Sequence, residues 1–421
     1  MSEKEQIIEV KELPLQIETG ASYVIKQANP NTYTHGMFKY PCKFIPEIPR
    51  WGLRNFLEDK RQVVFDPFSG SGTTLLEANL QGYDAWGTEI DDIAKLIIKV
   101  KTTRLRQEQM GELEEHFLRM LDRIKEEERD YFRPAIDNLE HWFSKKTIGE
   151  LGRMKGYVDE IKDTEIQNFF QLCMVSIIKK VSNADDTSPK PYVSNKIQKE
   201  PPPVEREFSS TYQRYRQMLC QLQEAENLGR TMILEGDALA FSPPGQIDLA
   251  ITSPPYINAF DYGRTLRLEN LWMDLLTEQE LRDKKKRYVG TEKIQVQAEQ
   301  GNLAILNKSS LLEEYYEKIL PVDEKRALIV KKFFEDMETN LQCISRHMAA
   351  GGKYMIVIGN SRIRKVEVES WQVIGQIASQ NGFHKLQHFS YVIQNPYIRI
   401  PRKGMGGKIH KDYVLVLEKG E

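Results

Sequence analysis

The sequence predicts an α/β protein: a doubly wound, mostly parallel sheet with an antiparallel strand near its C-terminal edge and a helical insertion at about 103–227. Three observations predict it. From Val63 the chain reads VVFDPFSGSGTTLLEANLQGYDAWGTEID, an apolar strand, a glycine turn, a helical pattern and a second strand. Short apolar runs return as TMILEGDALAF and IDLAITSPPY, parted by a Pro-Gly turn. Near the end come KYMIVIGN, behind the Gly351-Gly352 turn, and a final pair of strands around Phe389 and YVLVLEK.

Between the two groups of strands the pattern is helical. The stretch 103–130 is crowded with Glu, Arg, Lys and Leu at helical spacing, and 139–181 continues with apolar residues three and four apart. Then VSNADDTSPKPYVSNKIQKEPPPVE, rich in Pro, Ser, Asn and Asp, reads as a long loop, of the kind that is functional or disordered. A helix at about 212–227 leads back to the sheet. Residues 266–276 and 311–348 are helical in pattern, and 284–307 is polar and irregular. The expected division is therefore 1–102, 103–227 and 228–421, two halves of one core around an insertion that is a candidate for target recognition.

At 421 residues the chain can bury a large core, and no internal repeat is evident. No apolar run reaches the ~18 residues of a membrane span, and the N-terminus is charged, so neither a span nor a signal peptide is expected. Cys42, Cys173, Cys220 and Cys343 lack CxxC spacing, which points away from a disulfide framework or zinc ribbon and toward the reducing cytoplasm. With 59 basic and 61 acidic residues the net charge is −2, so any nucleic-acid affinity must come from a local basic surface.

Asp66, Phe68, Gly70, Gly72, Thr73 and Thr74 form a glycine-rich turn between a strand and a helix. Glycines there let backbone approach a ligand, and the helix offers its N-terminus. No Gly-Lys-Ser/Thr follows, so it is not a P-loop. Glu89 closes the next strand, where a carboxylate can accept from both hydroxyls of a ribose or cap the following helix. Asp237 stands after a third strand and can receive an adenine amino group or likewise cap. Ligands of open α/β sheets bind at the carboxyl ends of strands, which favours a shared site for all three.

Thr252-Ser253-Pro254-Pro255-Tyr256 also follows an apolar strand. Two prolines stiffen the backbone and remove two donors. An exocyclic base amine is a poor nucleophile because its lone pair is delocalised into the ring. The Pro254 carbonyl and the Ser253 hydroxyl, both accepting from that NH₂, would draw it toward tetrahedral geometry, while Tyr256 offers a face for an extruded base. The plainer alternative is a rigid surface turn.

These motifs resemble the amino-methyltransferases of DNA, the cytosine-N4 and adenine-N6 enzymes of restriction-modification and related systems. DPFSGSGTTLLEA is similar to their cofactor motif, GTEID to their ribose-contacting position with Glu89 and Ile90, GDAL to their adenine-contacting position with Asp237 and Ala238, and TSPPY to their catalytic motif. YTHGMFKYPCKFIPEIPRWGLRNFL is similar to an additional cofactor motif around the methionine end, on which Phe44 is the matching residue. The resemblance covers about 33–92 and 231–272 well and the last strands loosely. It implies a Rossmann-like methyltransferase sheet, S-adenosylmethionine as cofactor, base flipping with direct methyl transfer, double-stranded DNA as partner and a cognate restriction endonuclease as a further candidate. It points to cytosine N4 through Ser253, since adenine enzymes usually have Asp or Asn there. The alternatives are adenine N6, an RNA or protein amine, or a catalytically silent DNA-binding subunit. One departure stands out: in many cytosine-N4 enzymes the catalytic motif precedes the glycine motif, and here the order is reversed, so the location of target recognition does not transfer.

Direct transfer needs neither a covalent enzyme intermediate nor a metal. A C5 mechanism needs a Pro-Cys nucleophile, but Cys42, the only cysteine after a proline, precedes the glycine loop. His384 and His388 have HxxxH spacing without a third ligand nearby, so no metal is expected; His35 is expected to be structural. For DNA contact the candidates are Lys284 to Arg287, a run that is as readily a solvated face, and Arg399, Arg402, Lys403, Lys408 and Lys411, interleaved with glycines that allow close approach to phosphate. Lys190 and Tyr192, with Asn195, could read base edges from the long loop.

Overall fold

A computed structural model describes residues 7–26, 29–126, 130–196, 198–257, 262–394 and 410–421. Nine strands form its main sheet: β1 (Ile7–Val10), β2 (Ser22–Ile25), β3 (Val64–Asp66), β4 (Ala85–Gly87), β5 (Thr231–Ile233), β6 (Ile247–Thr252), β7 (Met348–Gly359), β8 (Phe383–Val392) and β9 (Lys411–Lys419). Their order is β1-β2-β8-β9-β7-β6-β3-β4-β5. Only β9 runs against its neighbours, pairing antiparallel with both β8 and β7. The expected doubly wound, mostly parallel sheet is present, and the antiparallel strand comes from YVLVLEK. It is not at the edge, because β1 and β2, which no sequence pattern above singled out, pair parallel to each other and extend the sheet beyond β8. Their runs IIEV and SYVI are too short to stand out from the charged segment around them.

From β3 the chain winds outward through β4 to β5, then returns beside β3 with β6 and continues the other way to β7. The β3/β6 boundary is thus the topological switch point, where loops diverge and a crevice opens at the strand ends. On one face α1 (Glu47–Phe56), α2 (Thr73–Leu80) and α3 (Asp92–Thr102) cover the sheet, α1 burying Ile48, Trp51 and Leu53. The other face is covered by the long helix Glu324–His347, held by Leu328, Phe333, Phe334, Met337 and Ile344, all fully buried.

Between α3 and β5 lie α4 (Gln107–Lys125), α5 (Leu139–Trp142), α6 (Lys145–Glu160), α7 (Thr164–Ile178) and α8 (Val204–Gln223). Their caps follow the sequence: Ser144 accepts from the Thr147 N–H at the start of α6, and Asp163 from Glu165 and Ile166 at the start of α7. The apolar faces do not make a separate core. Leu113, Phe117, Phe170 and Tyr212 belong to one cluster with Ile93, Ile97 and Val100 of α3 and with Leu268 and Trp272 of the helix Arg267–Trp272. The helical block is therefore fastened to the sheet's own helices, and the described residues of 179–203 run between α7 and α8 without helix or strand.

Candidate active site

At the switch point the glycine turn and the TSPPY segment are tied together by side chains. Asp66 is buried; its Oδ1 accepts from the Thr252 hydroxyl at 2.6 Å and from the Phe68 N–H at 3.1 Å. The Thr74 hydroxyl donates to the Ile251 carbonyl at 3.1 Å. Burial pushes the Asp66 carboxyl up to about 6, against the hydrogen bonds from Thr252 and Thr74 that hold it down. Gly70 and Gly72 have φ of +49° and +75°, so the tight turn needs glycine. A Cβ on Gly72 would also sit 2.9 Å from Ile98 of α3.

A cleft opens above this junction. Its wall gathers Phe68, Gly70 and Thr73 from the turn, Glu89 and Ile90 beyond β4, Asp237 and Ala238 beyond β5, Ser253 and Pro255 beyond β6, and Phe44 from the segment before α1. Segments more than 200 residues apart in number thus share one surface. Asp66, Gly72 and Thr74 stand behind that wall as its support; Pro254, buried between the half-buried Ser253 and Pro255, and Tyr256 are not part of the wall. The wall also contains Tyr40, Cys42, Lys43, Tyr262, Arg287, Tyr288 and Val289. Sequence reasoning weighed Cys42 and Arg287 for other roles and passed over the rest, although the stacked pair Tyr40–Tyr262, with ring centroids 5.6 Å apart, makes one of the cleft's aromatic surfaces.

Glu89 is held by three backbone donors. Oε2 accepts from Gly70 at 2.7 Å, and Oε1 from Ile90 and Asp91 at 2.8 Å each. Burial, reinforced by Asp91, nevertheless raises its carboxyl to about 7. Capping of α3 falls to Asp91, which accepts from Ala94. Asp237 caps the turn after β5 through Oδ1, which accepts from Leu239 and Ala240, and its Oδ2 faces Arg287 at 3.4 Å.

The run Lys284 to Arg287 is not a free basic patch. Lys284, nearly buried, pairs with Asp92 at 2.6 Å, Arg287 with Asp237, and Lys286 with Asp283 at 2.7 Å. Tyr288 adds a 3.4 Å hydrogen bond to Asp91. This stretch is a strap across the acidic rim of the cleft. Lys190 and Tyr192 remain exposed on the long loop, and the Asp185 N–H donates to the Tyr192 carbonyl at 2.9 Å. Desolvation would raise the Glu292 carboxyl, but Arg326, with Lys285 and Lys190, holds it below its ordinary range. Arg399, Arg402, Lys403 and Lys408 lie outside the described residues.

Beneath the cleft, buried His35 meets Glu77 at 2.8 Å, and Glu77 also takes two bonds from Arg50. Burial drives the His35 imidazole down to about 4, so it is neutral and structural at working pH. Buried Lys101 donates to the Ser71 carbonyl at 2.7 Å and fastens the glycine turn to α3. His384 pairs with Glu418 at 3.1 Å, while His388 stacks on Trp371; among the described residues no cluster could hold a metal ion. Nor is any helix among them long and apolar enough to cross a membrane.

The sheet order, the cleft at the switch point and the acidic residues at successive strand ends define a Rossmann-like α/β fold with a candidate ligand site. Residues 2–100 match the family model described as DNA methylase. The type II methyltransferase M.MvaI of Kocuria varians is 24% identical over 443 residues, covering 97% of this chain and 93% of that protein. M.BsoBI of Geobacillus stearothermophilus is 25% identical over 70% of this chain and 61% of its own length, and M.MjaII of Methanocaldococcus jannaschii 31% identical over 27% and 22%. The chain is thus similar to DNA methylases over the segment that carries the glycine turn and Glu89, and to a type II methyltransferase along nearly its whole length.

Proposed function

We propose that the protein is a cytoplasmic type II modification enzyme that transfers a methyl group from S-adenosylmethionine to the N4 amino group of cytosine in double-stranded DNA. The observation that supports this most is the meeting of Ser253 and Pro255 with Glu89, Asp237 and the glycine turn on one cleft wall. The cleft suits the cofactor: carboxylates for hydroxyl and amino donors, positive-φ glycines where backbone must come close, and the rings of Tyr40, Phe44 and Phe68. When bound, the cofactor supplies an activated methyl on a sulfonium.

The remaining work belongs to this chain. Glu89 and Asp237 orient the nucleoside, and Phe44 covers the methionine end. Ser253 and the Pro254 carbonyl accept from the target amine and localise its lone pair, and Tyr256 supports the flipped ring. Lys190 and Tyr192 read the duplex from the helical block, while Arg399, Arg402, Lys403 and Lys408 bind phosphate. Ser253 favours cytosine because a short hydroxyl can accept from the amine and donate to the neighbouring ring nitrogen. The test is mass spectrometry of nucleosides after incubation with labelled cofactor and DNA, RNA or protein in parallel. N4-methylcytosine from DNA is expected; methyl on adenine alone removes the cytosine assignment, and methyl on RNA or protein alone removes DNA.

A further inference from the structure

Two buried carboxylates grip the TSPPY segment, one at each end. Asp66 holds Thr252, as described above. At the other end the Tyr256 hydroxyl donates to Asp412 Oδ1 at 2.6 Å. Asp412 sits near the start of β9, 5% exposed, on a strand whose other buried side chains are Val414, Leu415, Val416 and Leu417. A carboxylate in such surroundings is costly unless its oxygens are satisfied. Here each has its own hydroxyl, because Tyr391 donates to Oδ2 at 2.9 Å.

Tyr391 lies directly opposite Asp412 in the β8/β9 register, and the residue opposite on β7 is Gly359, which brings no side chain. Tyr391 is 2% exposed and packed in the core beneath α1. The carboxylate therefore cannot turn toward Tyr256 or away from it without breaking its bond to a fixed partner. Pro254 and Pro255 stiffen the three residues between the two grips. The ring of Tyr256 is thus set by a strand far along the chain.

We propose that Asp412 is a positioning residue for methyl transfer: through the Tyr256 hydroxyl it fixes the angle of the ring against which the target base rests. The inference builds on the function proposed above. A base amine must approach the methyl in line, and a small tilt of its support is costly in rate while leaving cofactor binding alone. Asp412 touches neither base nor cofactor in this scheme.

The test is a double-mutant cycle on the full chain with unmethylated DNA and labelled S-adenosylmethionine, read as single-turnover rate, cofactor KM and melting temperature. Asp412→Asn, close in shape, is expected to slow transfer about tenfold with the KM for cofactor unchanged. In a Tyr256→Phe background, which has no hydroxyl to hold, the same substitution should cost less than about twofold. Tyr391→Phe leaves Oδ1 with Tyr256 and should cost less than about threefold. An Asp412→Asn rate equal to wild type overturns the proposal, as does an equal loss in both backgrounds or a Tyr391→Phe loss as large as that of Asp412→Asn. Should wild type methylate RNA or protein instead of DNA, the DNA reading fails by itself, and the same cycle run on that acceptor decides the role of Asp412.

Discussion

The two ends of the cleft are built in opposite ways. At the end proposed to hold the cofactor Glu89 is held by the N–H groups of Gly70, Ile90 and Asp91, all within about one strand-helix-strand unit of sequence. At the end proposed to hold the base Tyr256 is held by Asp412, 156 residues further along the chain. Backbone donors need only a chain conformation, which short motifs specify; a side-chain grip across the sheet needs the completed fold. The first end should accordingly tolerate distant substitutions, and the second should not.

The largest expected effect tests whether binding and chemistry are separable. Ser253→Ala should retain cofactor affinity and lose about 100- to 1000-fold in kcat, because in the proposed mechanism the hydroxyl meets the amine and not the sulfonium. Cofactor affinity measured by calorimetry alongside turnover checks both halves. A parallel loss of affinity would merge the two ends into one.

Glu89→Ala should do the reverse, weakening cofactor binding by about 2 kcal/mol through the loss of charge-assisted hydrogen bonds. Unchanged affinity removes Glu89 from the site. The pH dependence sharpens this. With its carboxyl raised to about 7, Glu89 is largely protonated at pH 6 and ionised at pH 8. Only the ionised form offers both oxygens as acceptors, so the cofactor Kd should fall as pH rises through 7 and then level off. Glu89→Gln should flatten that profile. The same raised value means that, without ligand, Glu89 favours the folded state below its ordinary range and loses that contribution as pH rises toward 7.

The contrast between the ends also explains what could be read from the sequence. The glycine turn, Glu89, Asp237 and Ser253 are each fixed by a strand end and its next few residues, and all except the turn's supporting members reach one wall. Asp412 carried no local signal: it precedes an apolar strand like many surface aspartates, and only the register opposite Tyr391 makes it a grip. The same holds for β1 and β2, whose four-residue runs become strands because β8 offers a free edge. Charge alone left Lys284 to Arg287 open between a DNA contact and a solvated face, since a basic run and its acidic partners at Asp92 and Asp237 are far apart in sequence. In principle the signal was there, as acidic residues clustered at strand ends attract basic neighbours. Which ones could not be foreseen without the fold.

The smallest expected effects separate the strap from the loop. Arg287 is well exposed and faces Asp237 at 3.4 Å, so its ion pair is worth little by itself. Its place on the cleft wall matters more. Arg287→Ala should shift cofactor affinity by no more than about threefold, consistent with an exposed pair, and leave the salt dependence of DNA binding as it was. Lys190→Ala should do the opposite. If Lys190 contacts a phosphate, its loss removes about one counterion-releasing contact, lowering the slope of log K against log salt by about 0.9 with cofactor affinity untouched. Titrations of DNA at several salt concentrations, with cofactor calorimetry on the same two variants, read both effects. If Arg287→Ala flattens the slope and Lys190→Ala does not, DNA runs along the strap after all, and the helical block has turned its loop away from the duplex.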